Sequence, residues 1–112
     1  MSHDLPDSTN VIVIGGGIIG CSIAYHLTQL GICDVLLLER KKLTSGTTWH
    51  AAGLVAQLRA SLNMTRLAKY TVELFEELES LTGQATGFRN TGSMTVALND
   101  ERLQELKRQA TL

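Results

Sequence analysis

Two short stretches of this chain hold residues whose types and spacing suit chemistry. The first is Gly15-Gly16-Gly17-Ile18-Ile19-Gly20, a GxGxxG in which Gly15, Gly17 and Gly20 take the three key places, followed 19 residues after Gly20 by Glu39. The second is TSGTTWHAAGLV, Thr44 to Val55, where hydroxyl side chains and small residues surround Trp49 and His50. A neutral imidazole is a competent nucleophile near neutral pH, and it also serves as an inert hydrogen-bonding group. A tryptophan in such a place either packs in a core or walls off a ligand.

The glycine motif has meaning only between a strand and a helix. Val11–Ile14 is an unalternated, β-branched run of the kind buried on both faces in parallel sheets. From Ile18 to Leu30 the apolar residues Ile19, Ile23, Ala24, Leu27 and Leu30 recur at helical spacing, with Gly31 as the C-terminal stop. Val35–Leu38 reads as a second buried strand closed by Glu39-Arg40. Strand, helix and strand form a right-handed βαβ unit.

In that setting each residue has a role. Gly15 allows the tight turn out of the strand, Gly17 lets backbone amides approach a pyrophosphate, and Gly20 lets helix and strand pack closely. The helix N-terminus faces the negative charge. Glu39 would accept hydrogen bonds from the ribose hydroxyls of an adenosine and repel a 2′-phosphate. The pattern therefore predicts an adenine dinucleotide, FAD or NAD. The basic run Arg40, Lys41 and Lys42 leaves open a 2′-phosphorylated ligand, or is a solvated charge run. Ser45, Gly46, Thr47 and Thr48 suit a second phosphate-cradling turn or plain turn and capping chemistry.

Beyond the second strand, residues 41–62 lack a period and read as loop with one or two helical turns. Leu67, Thr71, Leu74, Leu78 and Leu81 step at helical spacing toward a stop at Gly83, while Glu73, Glu76, Glu77 and Glu79 form a solvated face. Phe88–Leu98, with Asn90-Thr91-Gly92 inside it, reads as a strand pair or bent strand. Asn99-Asp100 caps a final helix from Glu101 to about Ala110, whose Lys107-Arg108 suit its C-terminus.

The 112 residues, 44% apolar, suffice for one small domain, and a net charge of −1 gives no field to attract nucleic acid or an anionic membrane. Cys21 and Cys33 form no disulfide framework or zinc spacing, so no metal is expected, and a reducing compartment fits. Cys21 at the helix start and His26 within the helix read as packed, structural residues. The opening MSHDLPDSTN lacks the basic start and apolar stretch of a leader, which predicts a cytoplasmic protein, or a mitochondrial matrix one if a longer eukaryotic precursor exists. No apolar run approaches the roughly 20 residues that span a bilayer.

From the first strand through GGGIIGCSIAYHL, the Glu39-Arg40 pair, TSGTTWHAAGL and TGFRNTGSMTVAL, the chain resembles the FAD-dependent amine oxidoreductases of the D-amino-acid-oxidase and glycine-oxidase superfamily, above all the dimethylglycine and sarcosine dehydrogenase group. The resemblance implies FAD as cofactor, contacted by Gly15, Gly16, Gly17, Ile18, Gly20, Glu39, Arg40, Ser45, Thr47, Thr48, His50, Gly53 and Leu54. In that group the histidine of WHAAG resembles the one that carries FAD covalently through its 8α-methyl, which here is His50. The implied reaction is oxidation of an N-methylated glycine by hydride transfer to flavin N5, leaving an iminium for water or, in a later domain, tetrahydrofolate. No catalytic residue is assigned.

The expected organisation is a flexible N-terminus over 1–9, an FAD-binding βαβ region with its following helix over 10–86, and the start of an α+β substrate domain over 87–112. The fold class is α/β, Rossmann-like and incomplete, the N-terminal piece of a larger enzyme. Two other readings stay open. One is a flavin-fold regulatory module without turnover, since the family is similar to a regulatory subunit of pyruvate dehydrogenase phosphatase. The other is an NAD-dependent dehydrogenase, against which TTWHAAG argues.

Overall fold

The computed structural model describes residues 5–111. The opening residues 1–4, part of the expected flexible N-terminus, lie outside the described residues. The chain divides into two compact units, Met1–Gly53 and Leu54–Leu112.

The first unit is the predicted βαβ. Strand β1, Val11–Ile14, leads through the glycine turn into helix α1, Ile18–Gln29, and back to strand β2, Val35–Leu38. The strands pair in parallel, Val11 with Val35 through Ile14 with Leu38. Asp34 fixes the entry to this ladder. Its carboxylate accepts from the Thr9 hydroxyl at 3.0 Å and the Asn10 amide at 2.9 Å, while its carbonyl accepts from the Val11 amide at 3.2 Å.

Helix α1 ends as the glycine signal predicts. Gly31 has φ +85°, its amide donates to the Thr28 carbonyl at 3.0 Å, and the Ile32 amide reaches back to the Leu27 carbonyl at 2.9 Å. Those paired bonds satisfy carbonyls that the helix end would otherwise leave open.

Burial departs from expectation at β1. Val13 is 8% exposed and packs where Gly20 of α1 brings the helix close, but Ile12 and Ile14 are 55% and 86% exposed. Alternate strand residues face opposite ways, and α1 covers one face. The reading of a strand buried on both faces is thus corrected to one covered face and one open face within this unit.

In the second unit, helix α2 spans Leu62–Thr82. It starts at Leu62, at the expected end of the aperiodic connection, where Ser61 caps it, its side chain accepting from the Met64 amide at 3.5 Å. The stop at Gly83 is as expected, with φ +71°. Its inward stripe differs from the leucine ladder. Val72 is 2% exposed, whereas Leu67 and Leu81 are exposed, and Phe75 meets Phe88 with ring centroids 5.7 Å apart. The acidic residues 73, 76, 77 and 79 are exposed.

Residues 88–98 form no strand ladder among the described residues, which corrects the expected strand pair. Gly87 and Gly92 both have positive φ, and the segment docks on α2 through Phe88 and an Asn90 side-chain bond to Glu76 at 3.3 Å. Helix α3, Asp100–Gln109, follows within a residue of expectation, its first turn capped by the Asn99 side chain accepting from the Arg102 amide at 2.9 Å. No helix among the described residues is long and apolar enough to cross a membrane.

Candidate functional site: the glycine turn and the turn that follows β2

The site is built where β1 ends. Gly15 takes φ +108°, a conformation costly for any residue with a Cβ, and its amide donates to the Leu38 carbonyl at 2.8 Å, tying the turn to the end of β2. Gly20 sits against the Gly15 carbonyl so closely that a Cβ there would collide with it. The close helix-strand contact assigned to Gly20 is therefore present.

At the end of β2, Glu39 turns its carboxylate under the glycine turn. One oxygen accepts from the Gly16 amide at 2.8 Å, the other from the Lys41 amide at 2.9 Å. These bonds, Gly16 first, hold the Glu39 carboxyl below its ordinary value of 4.5. Glu39 is thus a fixed anion at the edge of the turn, and each carboxylate oxygen has a further lone pair for a ribose hydroxyl. Such a fixed charge also opposes a 2′-phosphate, so the basic run 40–42 is better read as solvated, Arg40 being exposed.

The third wall is the predicted helical turn of the connecting segment, a 3₁₀ turn at Thr47–His50. Thr48 Oγ1 accepts from the Ile18 amide, the first of α1, at 2.9 Å. A Cβ on Gly17 would stand 3.1 Å from that same oxygen. The Thr44 amide donates to the Gly16 carbonyl at 2.8 Å. The ring nitrogen Nδ1 of His50 lies 3.1 Å from the Gly46 carbonyl, and the Trp49 and His50 rings pack at 4.8 Å between centroids. Trp49 is 70% exposed, so it is no core residue.

The structure therefore brings together Gly15, Gly16, Gly17, Ile18, Gly20, Glu39 and Thr48. Arg40, Ser45, Thr47 and His50 are exposed in the connection after β2, and Gly53 closes the first unit with φ +73°. Leu54 opens the second unit and is exposed. His26 makes the helix contact expected of a structural residue, Nδ1 to the Ser22 carbonyl at 2.6 Å.

Sequence reasoning missed two residues. Leu43 lies where a Cβ on Gly16 would strike its side chain, and its signal was a lone leucine within KKLTSG. Thr44 has φ +61°, rare for a β-branched residue, and nothing in its type announces that.

These features fit a dinucleotide. A Cβ would collide with its neighbours at Gly16 and Gly20 and crowd the Thr48 hydroxyl at Gly17, and α1 is preceded by Gly17 as its N-cap, which has no capping side chain. Thr48 serves the Ile18 amide, and the remaining amides of the first turn are directed at whatever anion approaches.

Comparison with known proteins is consistent with that geometry. Residues 10–112 match the FAD dependent oxidoreductase family. The chain belongs to that family, which makes FAD its cofactor and sets the NAD reading aside. It is 50% identical to 4-methylaminobutanoate oxidase (formaldehyde-forming) of Paenarthrobacter nicotinovorans over 94% of its own length and 13% of that protein's. Dimethylglycine dehydrogenase of Rattus norvegicus is 44% identical over 94% of this chain, and sarcosine dehydrogenase of Homo sapiens 48% identical over 99%, each over 12% of the relative. The pyruvate dehydrogenase phosphatase regulatory subunit of Mus musculus matches at 41% identity over 93% of this chain and 12% of that one. The chain thus spans about an eighth of the length of these relatives. Among solved structures, L-amino acid deaminase from Proteus vulgaris superposes with a TM-score of 0.82 at 22% identity, over 96% of this chain and 25% of that one, a likeness of fold.

Proposed function

We propose that this chain is the FAD-binding portion of an oxidoreductase acting on N-methylated amines of the dimethylglycine and sarcosine type, with FAD carried covalently on His50. The observation that carries the reading is the junction of the two motifs. The 3₁₀ turn that bears His50 is bonded through Thr48 to the first amide of the dinucleotide helix. The relatives named for oxidation of dimethylglycine, sarcosine and 4-methylaminobutanoate support the substrate class.

In this reading the amides of the first turn of α1 that follow Ile18, with the turn 45–48, hold the pyrophosphate, Glu39 holds the adenosine ribose, and Arg40, Gly53 and Leu54 lie along the same cofactor. Bound FAD supplies a two-electron acceptor for the carbon beside the amine nitrogen, and the iminium product passes to water or to tetrahydrofolate in a further domain. Residues 10–86 would form the FAD-binding region and 87–112 the start of the substrate domain. The protein would work in the cytoplasm, or in the mitochondrial matrix of a eukaryote.

His50 is suited to the tether by its local bonds. Since a carbonyl only accepts, the contact of Nδ1 with Gly46 assigns the proton to Nδ1 and leaves the lone pair on Nε2. Joining an imidazole nitrogen to the 8α carbon would remove one hydrogen from each partner, and dioxygen would take up the two electrons and two protons as hydrogen peroxide.

The test is acid precipitation of the full-length gene product followed by a denaturing gel. A flavin-fluorescent band that disappears in His50→Ala supports the tether, whereas flavin released by acid overturns it and leaves the FAD assignment standing. Bleaching of the flavin by sarcosine, dimethylglycine or 4-methylaminobutanoate supports the enzyme. A second reading, a regulatory module, draws on the match to the phosphatase regulatory subunit. It predicts bound flavin that none of these amines bleaches.

A further inference from the structure

The bond between Thr48 and Ile18 joins two segments 30 residues apart. We propose that Thr48 is a positioning residue, whose hydroxyl staples the His50-bearing turn to the N-terminus of α1 and so sets the place of the imidazole before the cofactor arrives. The proposal rests on the reading of His50 as the tether.

Five observations carry it. The first amide of a helix has no partner within the helix, and Gly17 offers no side chain to serve it. That amide is served instead by Thr48, 30 residues later in the chain. The staple is doubled, because the Thr44 amide bonds the Gly16 carbonyl at 2.8 Å while Thr44 is held at φ +61°. A threonine stays in that conformation only when its surroundings fix it. Between these anchors lies Gly46, whose carbonyl meets the His50 ring at 3.1 Å. The imidazole is thus tied to the segment 44–48, and that segment is tied at two points to the glycine turn. The oxygen of Thr48 is itself confined, since a Cβ on Gly17 would press on it at 3.1 Å.

Preorganisation of this kind raises the rate of a bond-forming step at a given occupancy more than it raises occupancy. A residue that only binds phosphate does the reverse. The two roles therefore separate in a comparison of Thr48→Val, Thr48→Ser and Gly17→Ala in the full-length protein.

The first measurement is amide hydrogen exchange of peptides covering 44–54 in flavin-free protein. Loss of one hydrogen bond should speed exchange by about tenfold in Thr48→Val. Gly17→Ala, whose Cβ asks that oxygen to give way by only a few tenths of an ångström, should speed exchange by less than Thr48→Val does, while Thr48→Ser stays at the wild-type rate. The second is covalent incorporation of added FAD. The saturating rate should fall about tenfold in Thr48→Val, the half-saturating FAD concentration should move by less than about threefold, and serine should restore the rate.

Exchange equal in Thr48→Val and wild type overturns the staple. So does a raised half-saturating concentration with an unchanged saturating rate, which would make Thr48 a phosphate ligand alone. If wild-type flavin is released by acid, the reading of His50 fails on its own account, and the exchange measurement still decides whether the staple exists.

Discussion

Glu39 reaches from the end of β2 to the backbone amide of Gly16 at 2.8 Å, so the acid proposed to hold the ribose and the glycine turn proposed to hold the phosphates are one bonded unit. This bond favours the ionised carboxylate and lowers its pKa from the ordinary 4.5. The sign of the pH dependence follows. A lowered carboxyl contributes its stabilisation fully above the ordinary value and loses it as pH falls through the folded one. FAD affinity, read by fluorescence quenching, should be flat above about pH 5 and weaken only in more acid solution, as far as this group is concerned. Glu39→Gln should weaken binding by about tenfold near neutrality and flatten the acid limb, because the neutral amide makes poorer bonds to ribose and to Gly16. An acid limb unchanged in Glu39→Gln would remove Glu39 as its source.

Gly20→Ala should damage the fold rather than the ligand contacts. Its Cβ would collide with the Gly15 carbonyl, which is backbone and cannot rotate away. Overpacking of this kind costs about 1–3 kcal/mol, so the full-length protein should melt several degrees lower. Saturating FAD should recover part of the loss, since a ligand that binds only the folded state stabilises it. An unchanged melting temperature would show that helix and strand separate freely at this point.

The βαβ unit was legible because three independent signals agreed over residues 11–39. An unalternated apolar run, a helical period and glycines at both ends of the helix all implied the same elements. The capping residues Gly31, Gly83 and Asn99 were legible too, because their chemistry is local. The failures were questions of partners. Ile12 and Ile14 carry the composition of a doubly buried strand, yet one face has no neighbour within the unit. Residues 88–98 carry strand propensity, but a strand exists only as part of a ladder, and Phe88 and Asn90 dock on α2 instead. Spacing alone picks out the leucine ladder of α2, whereas Val72 and Phe75 take the inward side in place of Leu67 and Leu81. At the site, the glycines and Glu39 were recognisable by type, whereas the contact of Thr48 with Ile18 joins residues that no periodicity connects.

Gly31→Ala should lower stability by about 1–2 kcal/mol, the cost of a Cβ at φ +85°. Nothing lies within 4 Å of the added carbon, so the penalty is conformational and not steric with neighbours. Chemical denaturation should therefore show a lower midpoint with an unchanged slope. FAD affinity of the folded protein should stay at the wild-type value, since Gly31 closes the opposite end of α1 from the cradle. A loss of affinity at full folding would mean that strain at the C-terminus of α1 reaches its N-terminus.

In the second unit two contacts on α3 look comparable on distance and should differ in effect. Asn99 accepts from the Arg102 amide at 2.9 Å, and Glu105 meets Arg108 at 2.7 Å, a contact that with Gln109 brings its carboxyl down to about 2. The cap satisfies a backbone donor that has no partner within the helix, and Asn99→Ala should cost about 1 kcal/mol. The ion pair lies in solvent, where water offers each partner nearly as good a bond, so Glu105→Gln should leave the denaturation midpoint almost unchanged near neutrality. Its contribution, small as it is, is present above the ordinary 4.5 and fades as pH falls toward 2. Hydrogen exchange of the amides of 101–104 reads the two directly, with faster exchange in Asn99→Ala and wild-type exchange in Glu105→Gln. The opposite order would place the stability of α3 in its surface charges and not in its cap.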